Sequence, residues 1–207
     1  MATQVKAEQR SEEWFAARLG RATGSRFNDI MARTRSGYSA SHKNYAAELV
    51  VERLTGTQAE NYASVAMQWG TDNEPVARLQ YMLASGNDVE ETGFWIHDEL
   101  MAGASPDGLI GEDGLLEIKC PNSATHLETL VKKCLPRQYQ AQVQGQMWIT
   151  GRNWCDFVSF DPRLTGNAQM FTIRVERDEI YIAELQEEVG QFLEEVADLV
   201  EFVKTYK

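Results

Sequence analysis

The chain has 207 residues, 43% hydrophobic and 25% charged, a balance that builds an ordinary globular core and excludes fibrous, low-complexity and disordered classes. Its formal net charge of −11 argues against a protein that coats nucleic acid through a uniformly basic surface. No apolar run approaches the roughly 18 residues of a membrane span, and MATQVKAEQRSEEW lacks a secretory apolar segment, so a single cytoplasmic domain over 1–207 with no membrane partner is expected.

The mean charge hides an asymmetry. Residues 14–43 carry Arg18, Arg21, Arg26, Arg33, Arg35 and Lys43 against Asp29 alone, whereas 176–207 hold ten acids and three bases. The first stretch can meet a polyanion or present a solvated face. Residues 33–44 (RTRSGYSASHKN) predict a loop. Helical spacing over 45–54, with Gly56 as a stop, predicts a helix. A second is expected over 74–84, where Thr71 and Glu74 have capping-box spacing and Gly86 can end it. Strands are expected at 89–96, 101–110 and 115–120, the last two joined by the turn Gly111-Glu112-Asp113-Gly114. Pro136 opens a predicted helix through Ile149, and 154–160 and 170–175 read as strands. Ile182, Leu185, Val189, Phe192, Val196, Leu199 and Val203 form one stripe of a closing amphipathic helix. This order predicts an α/β fold with a mixed sheet flanked by helices. Cys120, Cys134 and Cys155 form no paired motif and read as buried thiols; His42, His97 and His126 read as structural.

The segment from Ser105 to Lys119 carries the chemistry. Alternation along 115–120 turns Glu117 and Lys119 to one side and Leu116 and Ile118 to the core, and the tight hairpin can return Asp107 to the neighbourhood of Glu117. Two converging carboxylates repel unless a cation joins them, and hard oxygen ligands suit Mg²⁺ or Mn²⁺. A lysine beside them can orient water or stabilise charge on a phosphate. The same three residues also fit an exposed ion pair with a nearby acid. Gln138, Gln142 and Gln146 recur every four residues and share a stripe.

Pro106-Asp107 followed by Glu117-x-Lys119 is the pattern of the PD-(D/E)xK nucleases. Five further blocks or extensions stand in order: Trp14-Phe15-Ala16-Ala17-Arg18-Leu19-Gly20, Thr23-x-Ser25, Trp69-Gly70-x-x-x-Glu74, Glu117-Ile118-Lys119-Cys120-Pro121, and Tyr139-x-Ala141-Gln142-Val143-Gln144. With them the chain resembles the lambda-exonuclease and YqaJ-type viral recombinase family over most of its length. The resemblance implies a restriction-endonuclease-like core and a Mg²⁺-dependent 5′ to 3′ exonuclease acting on double-stranded DNA ends. It implies Asp107, Glu117 and the Ile118 carbonyl as metal ligands, Glu74 near a second ion, Lys119 at the water and Gln142 at the centre. Arg18, Ser25, Arg35 and Ser105 would hold the terminal phosphate and the scissile strand. A homotrimeric ring and a single-strand annealing partner follow from the same resemblance. Asp98 resembles an upstream family acid at a spacing one residue shorter and is given no role; Met67 fits either a wedge against the terminal base pair or the core. Two other outcomes stay open: an endonuclease of the same superfamily, and a noncatalytic module on a nuclease fold.

Overall fold

The computed structural model describes residues 2–58 and 64–207. It holds two four-stranded mixed sheets and a small hairpin, packed among seven α-helices in the described residues. The first sheet comprises β1 (Thr3–Val5), β2 (Ala22–Thr23), β5 (Phe94–Ile96) and β6 (Ala102–Ala104), in the order β1-β5-β6-β2. The second comprises β7 (Gly108–Ile110), β8 (Gly114–Lys119), β9 (Trp154–Phe160) and β10 (Met170–Glu176), in the order β10-β9-β8-β7. Within the second sheet β7/β8 and β9/β10 are antiparallel, while β8 runs parallel to β9. A parallel pair needs a crossover. Here α5 (Ser123–Lys132) and α6 (Gln140–Thr150) supply it.

That crossover positions the site. On β8, Leu116 and Ile118 pack with Ala77 and Tyr81 of α4 (Val65–Ser85), while Leu115 on the opposite face packs with Val143 and Met147 of α6. Glu117 and Lys119 share the face of Leu115 by the two-residue period of a strand, so they lie beneath α6. Residues 141–149 of α6 are all buried, as expected of a helix enclosed on every side. Gly145 permits this: a Cβ there would lie 2.3 Å from Cδ2 of Phe27, on α2 (Phe27–Met31). Gly145→Ala is therefore expected to destabilise the protein by about 1–3 kcal/mol through overpacking, read as a lower denaturant midpoint.

The closing helix α7 (Glu179–Thr205) starts where Asp178 Oδ1 accepts from the backbone N–H groups of Ile180 and Tyr181. Its stripe is buried from Ile182 to Val196 and continues to Val200, packing against α3 (Ala40–Thr55) and α2, whereas Leu199 and Val203 face solvent.

Several sequence expectations need correction. Residues 33–44 are not a loop: β3 (Arg33–Thr34) and β4 (Gly37–Tyr38) form a hairpin, and Ser39 caps α3. Glu74 does not join a cap, because α4 begins at Val65 under Ser64 and Glu74 lies in mid-helix. The expected strand at 101–110 is broken at 105–107 into β6 and β7, and the one at 89–96 keeps only β5 plus a bridge from Glu90 to Leu109. Residues 137–139 form a 3₁₀ turn, so Gln138 falls off the α6 stripe. Helix α1 (Glu12–Arg18), α2 and α5 had no clear periodic signal in so few residues. Cys120 and Cys155 are buried thiols, but Cys134 is exposed. His42 and His126 are buried and bonded at both ring nitrogens, and His97 Nδ1 accepts from two backbone N–H groups, so all three are accounted for structurally. Among the described residues, no helix is long and apolar enough to cross a membrane.

Candidate active site

The β7/β8 hairpin turns at Gly111, whose φ of +53° is left-handed and costs a glycine little. Its register pairs Gly108 with Leu116, which sets Asp107 one step beyond the pairing. There the Asp107 N–H donates to the Leu116 carbonyl at 3.0 Å, and the Ile118 N–H donates to Asp107 Oδ2 at 2.7 Å. The hairpin thus brings Asp107 to the strand that carries Glu117 and Lys119.

Glu117 is only 1% exposed and is held by three donors. Lys119 Nζ lies 2.6 Å from Oε1, Gln142 Nε2 donates to Oε1 at 2.6 Å, and Gln146 Nε2 donates to Oε2 at 2.6 Å. Lys119 also lies over the Tyr139 ring at 5.3 Å. The four-residue spacing of Gln142 and Gln146 puts both amides over one carboxylate. Gln146 is a site residue that the sequence motif passed over; its place on the glutamine stripe was the available signal.

The centre is short of positive charge. Burial, then the Glu117 and Glu74 carboxylates, push Asp107 well above the usual carboxylate range, against the opposing pull of Lys119 and the Ile118 N–H. Burial would lower Lys119, but Glu117 and Asp107 outweigh it and raise the ammonium above its ordinary value. Lys119 therefore stays charged, and one ammonium does not satisfy the carboxylates around it. Burial, with Glu74 and Asp107, pushes the Cys120 thiol up to about 12, so it remains protonated.

Could these residues hold a metal? Among the described residues no three His, Cys, Asp or Glu side chains form a ready-made cage. The donors are instead two carboxylates and backbone carbonyls, a hard oxygen set suited to an ion that keeps much of its water. Gln146 Oε1 is buried without a donor, an acceptor that a hydrated ion can satisfy. The residues fit a divalent cation.

A cleft of about 420 Å³ lined by Trp95, His97, Asp98 and Trp148 is separate from a larger one of about 740 Å³. The larger cleft includes Arg10, Trp14, Arg18, Ser25, Arg26 and Met67 in its lining, so Met67 is an exposed cleft residue and not core. Arg18 sits 4.0 Å from the Trp14 ring centroid, and burial, opposed by Tyr45 and Glu52, lowers its guanidinium to about 10. A partly desolvated guanidinium of this kind binds an anion strongly. Ser25 Oγ lies 3.4 Å from Thr23 Oγ1. Ser105 Oγ accepts from Trp14 Nε1 at 2.9 Å, which ties the cleft wall to the residue two before Asp107. Arg35 lies elsewhere, exposed at the tip of the β3/β4 hairpin and outside the cleft lining.

A second tie runs through Glu74. Its Oε1 accepts from Arg78 at 2.8 Å and its Oε2 from Arg10 at 2.9 Å. Arg10 has φ +72°, and only Lys133 shares a positive φ among the described non-glycine residues. A left-handed side-chain-bearing residue costs about 1–2 kcal/mol. Arg10 is 48% exposed over a Glu74 at 14%, and a pair that water screens from the arginine side returns about 1 kcal/mol at most, so it does not offset the backbone.

A mixed sheet flanked by helices, with Asp107, Glu117 and Lys119 gathered beneath α6, is a restriction-endonuclease-like fold, and its class is that of a DNA nuclease. The chain belongs to the YqaJ-like viral recombinase family, whose domain model matches residues 13–153. An alkaline exonuclease from Laribacter hongkongensis is 49% identical, with a TM-score of 0.87 over 94% of this chain and 96% of that one; it has also been solved in complex with dAMP. A phage-related exonuclease from Haemophilus somnus 129PT, 15% identical, shares the fold with a TM-score of 0.70 over 88% of this chain and 96% of its own. The ExoD protein of Escherichia coli (strain K12) is 36% identical over 58 residues, 28% of this chain and 66% of that protein.

Proposed function

We propose that the protein is a divalent-metal-dependent exonuclease that engages the end of a DNA duplex, degrades the 5′ strand to mononucleotides and leaves a 3′ single-stranded overhang. The observation that carries this is that two residues of the arginine-walled cleft bond to the surroundings of the centre: Trp14 to Ser105, two residues before Asp107, and Arg10 to Glu74, whose carboxylate acts on Asp107. The exonuclease activity of the Laribacter relative and its complex with dAMP, the chemistry of a mononucleotide product, support the same reading.

Asp107, Glu117 and the Ile118 carbonyl would hold Mg²⁺, with Mn²⁺ as a substitute, and Glu74 would serve a second ion. A divalent cation supplies Lewis-acid polarisation of the phosphate and a water of lowered pKa. Lys119, fixed by Glu117, orients the attacking water in line and offsets charge on the phosphate. Gln142 and Gln146 keep Glu117 in place. Arg18, Ser25 and Ser105 receive the terminal 5′ phosphate, and Arg35 reaches the strand from its hairpin. Water attacks phosphorus and the P–O3′ bond breaks, so the released nucleotide keeps its 5′ phosphate and the shortened strand gains one. Each cut thereby regenerates the end that the arginines bind. A ring of three copies around the duplex, a partner that anneals the exposed strand and a cytoplasmic location rest on the family resemblance.

The test uses linear duplexes labelled at either end, with 5′ phosphate or hydroxyl, beside covalently closed circles. Loss of 5′ label first, as mononucleotide, with circles intact, is expected. Cutting of circles would make the protein an endonuclease, earlier loss of 3′ label would reverse the polarity, and a folded protein without hydrolysis would be a binding module.

A further inference from the structure

We propose that Arg10 is a strand-gripping arm that exchanges Glu74 for a phosphodiester oxygen of the DNA in the cleft. The inference rests on the duplex-end reading above and adds to it a residue outside the motifs that suggested that reading. Its basis is a local imbalance. Arg10 holds a left-handed backbone, φ +72°, that a glycine would adopt without strain, and its ion pair with Glu74, open to water on the arginine side, does not compensate.

The neighbours fix that turn without help from the arginine side chain. Gln9 Nε2 donates to the carbonyls of Thr92 at 3.0 Å and Pro106 at 2.9 Å, and Ser11 caps α1 by accepting from the Trp14 N–H at 3.2 Å. The fold thus needs the turn but not this residue in it. Glu74 does not depend on Arg10 either. Its Oε1 stays on Arg78, which is 13% exposed, whereas Arg10 is 48% exposed. What Arg10 does hold is a position: it lines the large cleft, and Gln9 ties the turn that carries it to Pro106, the residue before Asp107. A guanidinium so anchored can grip a phosphate at a fixed distance from the scissile bond, and its departure releases Glu74 Oε2.

The experiment compares wild type, Arg10→Gly and Arg10→Lys. Binding of a blunt 5′-phosphorylated duplex is followed by anisotropy in EDTA across a salt series, and steady-state degradation is measured in Mg²⁺. In Arg10→Gly the slope of log K against log salt should fall by about one. KM should rise about five- to tenfold, with kcat held within about twofold. Its melting temperature should hold or rise by up to a few °C, since the relieved strain exceeds the lost pair and the added glycine freedom in the unfolded chain takes back part of the gain. Arg10→Lys should keep the slope and recover part of KM, a lysine being a point charge without the planar fork. Unchanged slope and KM in Arg10→Gly would overturn the proposal, as would a fall in kcat together with melting temperature, which would make Arg10 a structural latch. A wild type that binds no duplex would sink the duplex-end reading itself and this inference with it; an active wild type with an indifferent Arg10→Gly sinks only the inference.

Discussion

Replacing Lys119 by Ala should lower single-turnover hydrolysis of a linear duplex by about 10²–10⁴-fold, the range for loss of a positioned proton-handling or water-orienting group. Asp107→Ala should fall at least as far, but for a different reason, and metal binding separates the two. Lys119→Ala keeps both carboxylates and should still bind Mn²⁺ by calorimetry, whereas Asp107→Ala should lose that heat. Lys119→Ala leaves the buried Glu117 with two amide donors and Asp107→Ala removes a carboxylate that burial already crowds, so each rate is read beside a melting curve that shows the variant folded. Glu117 is the wrong residue for this test. It lies under three donors at 1% exposure, and its removal strands a lysine and two amides, a loss of about 3–5 kcal/mol for a broken buried pair. A dead Glu117→Ala would report on folding as much as on chemistry. Full activity in Asp107→Ala would remove the metal centre proposed here.

Mg²⁺ should raise the melting temperature strongly at pH 8 and weakly at pH 5. Asp107 is raised in the folded protein by burial, Glu117 and Glu74, so the native metal-free state binds more protons than the unfolded chain between the two pKa values. The stability this group contributes is complete below its unfolded pKa, near 3.9, and is lost as pH climbs through the native value. A cation at the centre replaces the proton, and its effect grows where the proton has gone. At about 100 times Kd the gain is near 2.7 kcal/mol, or roughly 5–10 °C for a chain of this size. Asp107→Asn keeps an acceptor for the Ile118 N–H, removes the crowded charge, and should melt higher than wild type in EDTA at pH 8 while gaining nothing from Mg²⁺. Asp161 does not confuse the window: burial would raise it, but Arg163 and Ser123 hold it down to about 2, so it loses stability only in strong acid. Equal Mg²⁺ shifts at both pH values would refute the linkage.

The legible parts of this molecule were those written in short-range periodicity. The β8 alternation, the Gly111–Gly114 turn and the α7 stripe from Ile182 to Val196 each follow from side-chain spacing, and they brought Asp107 to Glu117 and Lys119. What was not legible depends on contacts distant in sequence. Glu74 looks like a cap partner of Thr71 until the helix is seen to start at Ser64, and its true partners are Arg10 and Arg78. Ser105 joins the cleft only through Trp14, 91 residues away. The role of Gln146 depends on α6 crossing over β8, which spacing alone does not reveal; nor does it reveal that Arg10 occupies a glycine-like backbone.

The signs of charge in the large cleft are mixed. Arg26 already carries Asp29 at 2.6 Å and Glu48 at 2.8 Å, and Glu52 shares the wall. A guanidinium occupied by carboxylates grips a passing phosphate less firmly than a bare one and releases fewer counterions when it does. For the exonuclease proposed above, whose strand would advance one nucleotide after every cut, that means low friction: the acids would act as a lubricant, leaving the tight hold to the few cations near the terminal phosphate. A track of unopposed arginines would bind such a strand better and let it travel worse.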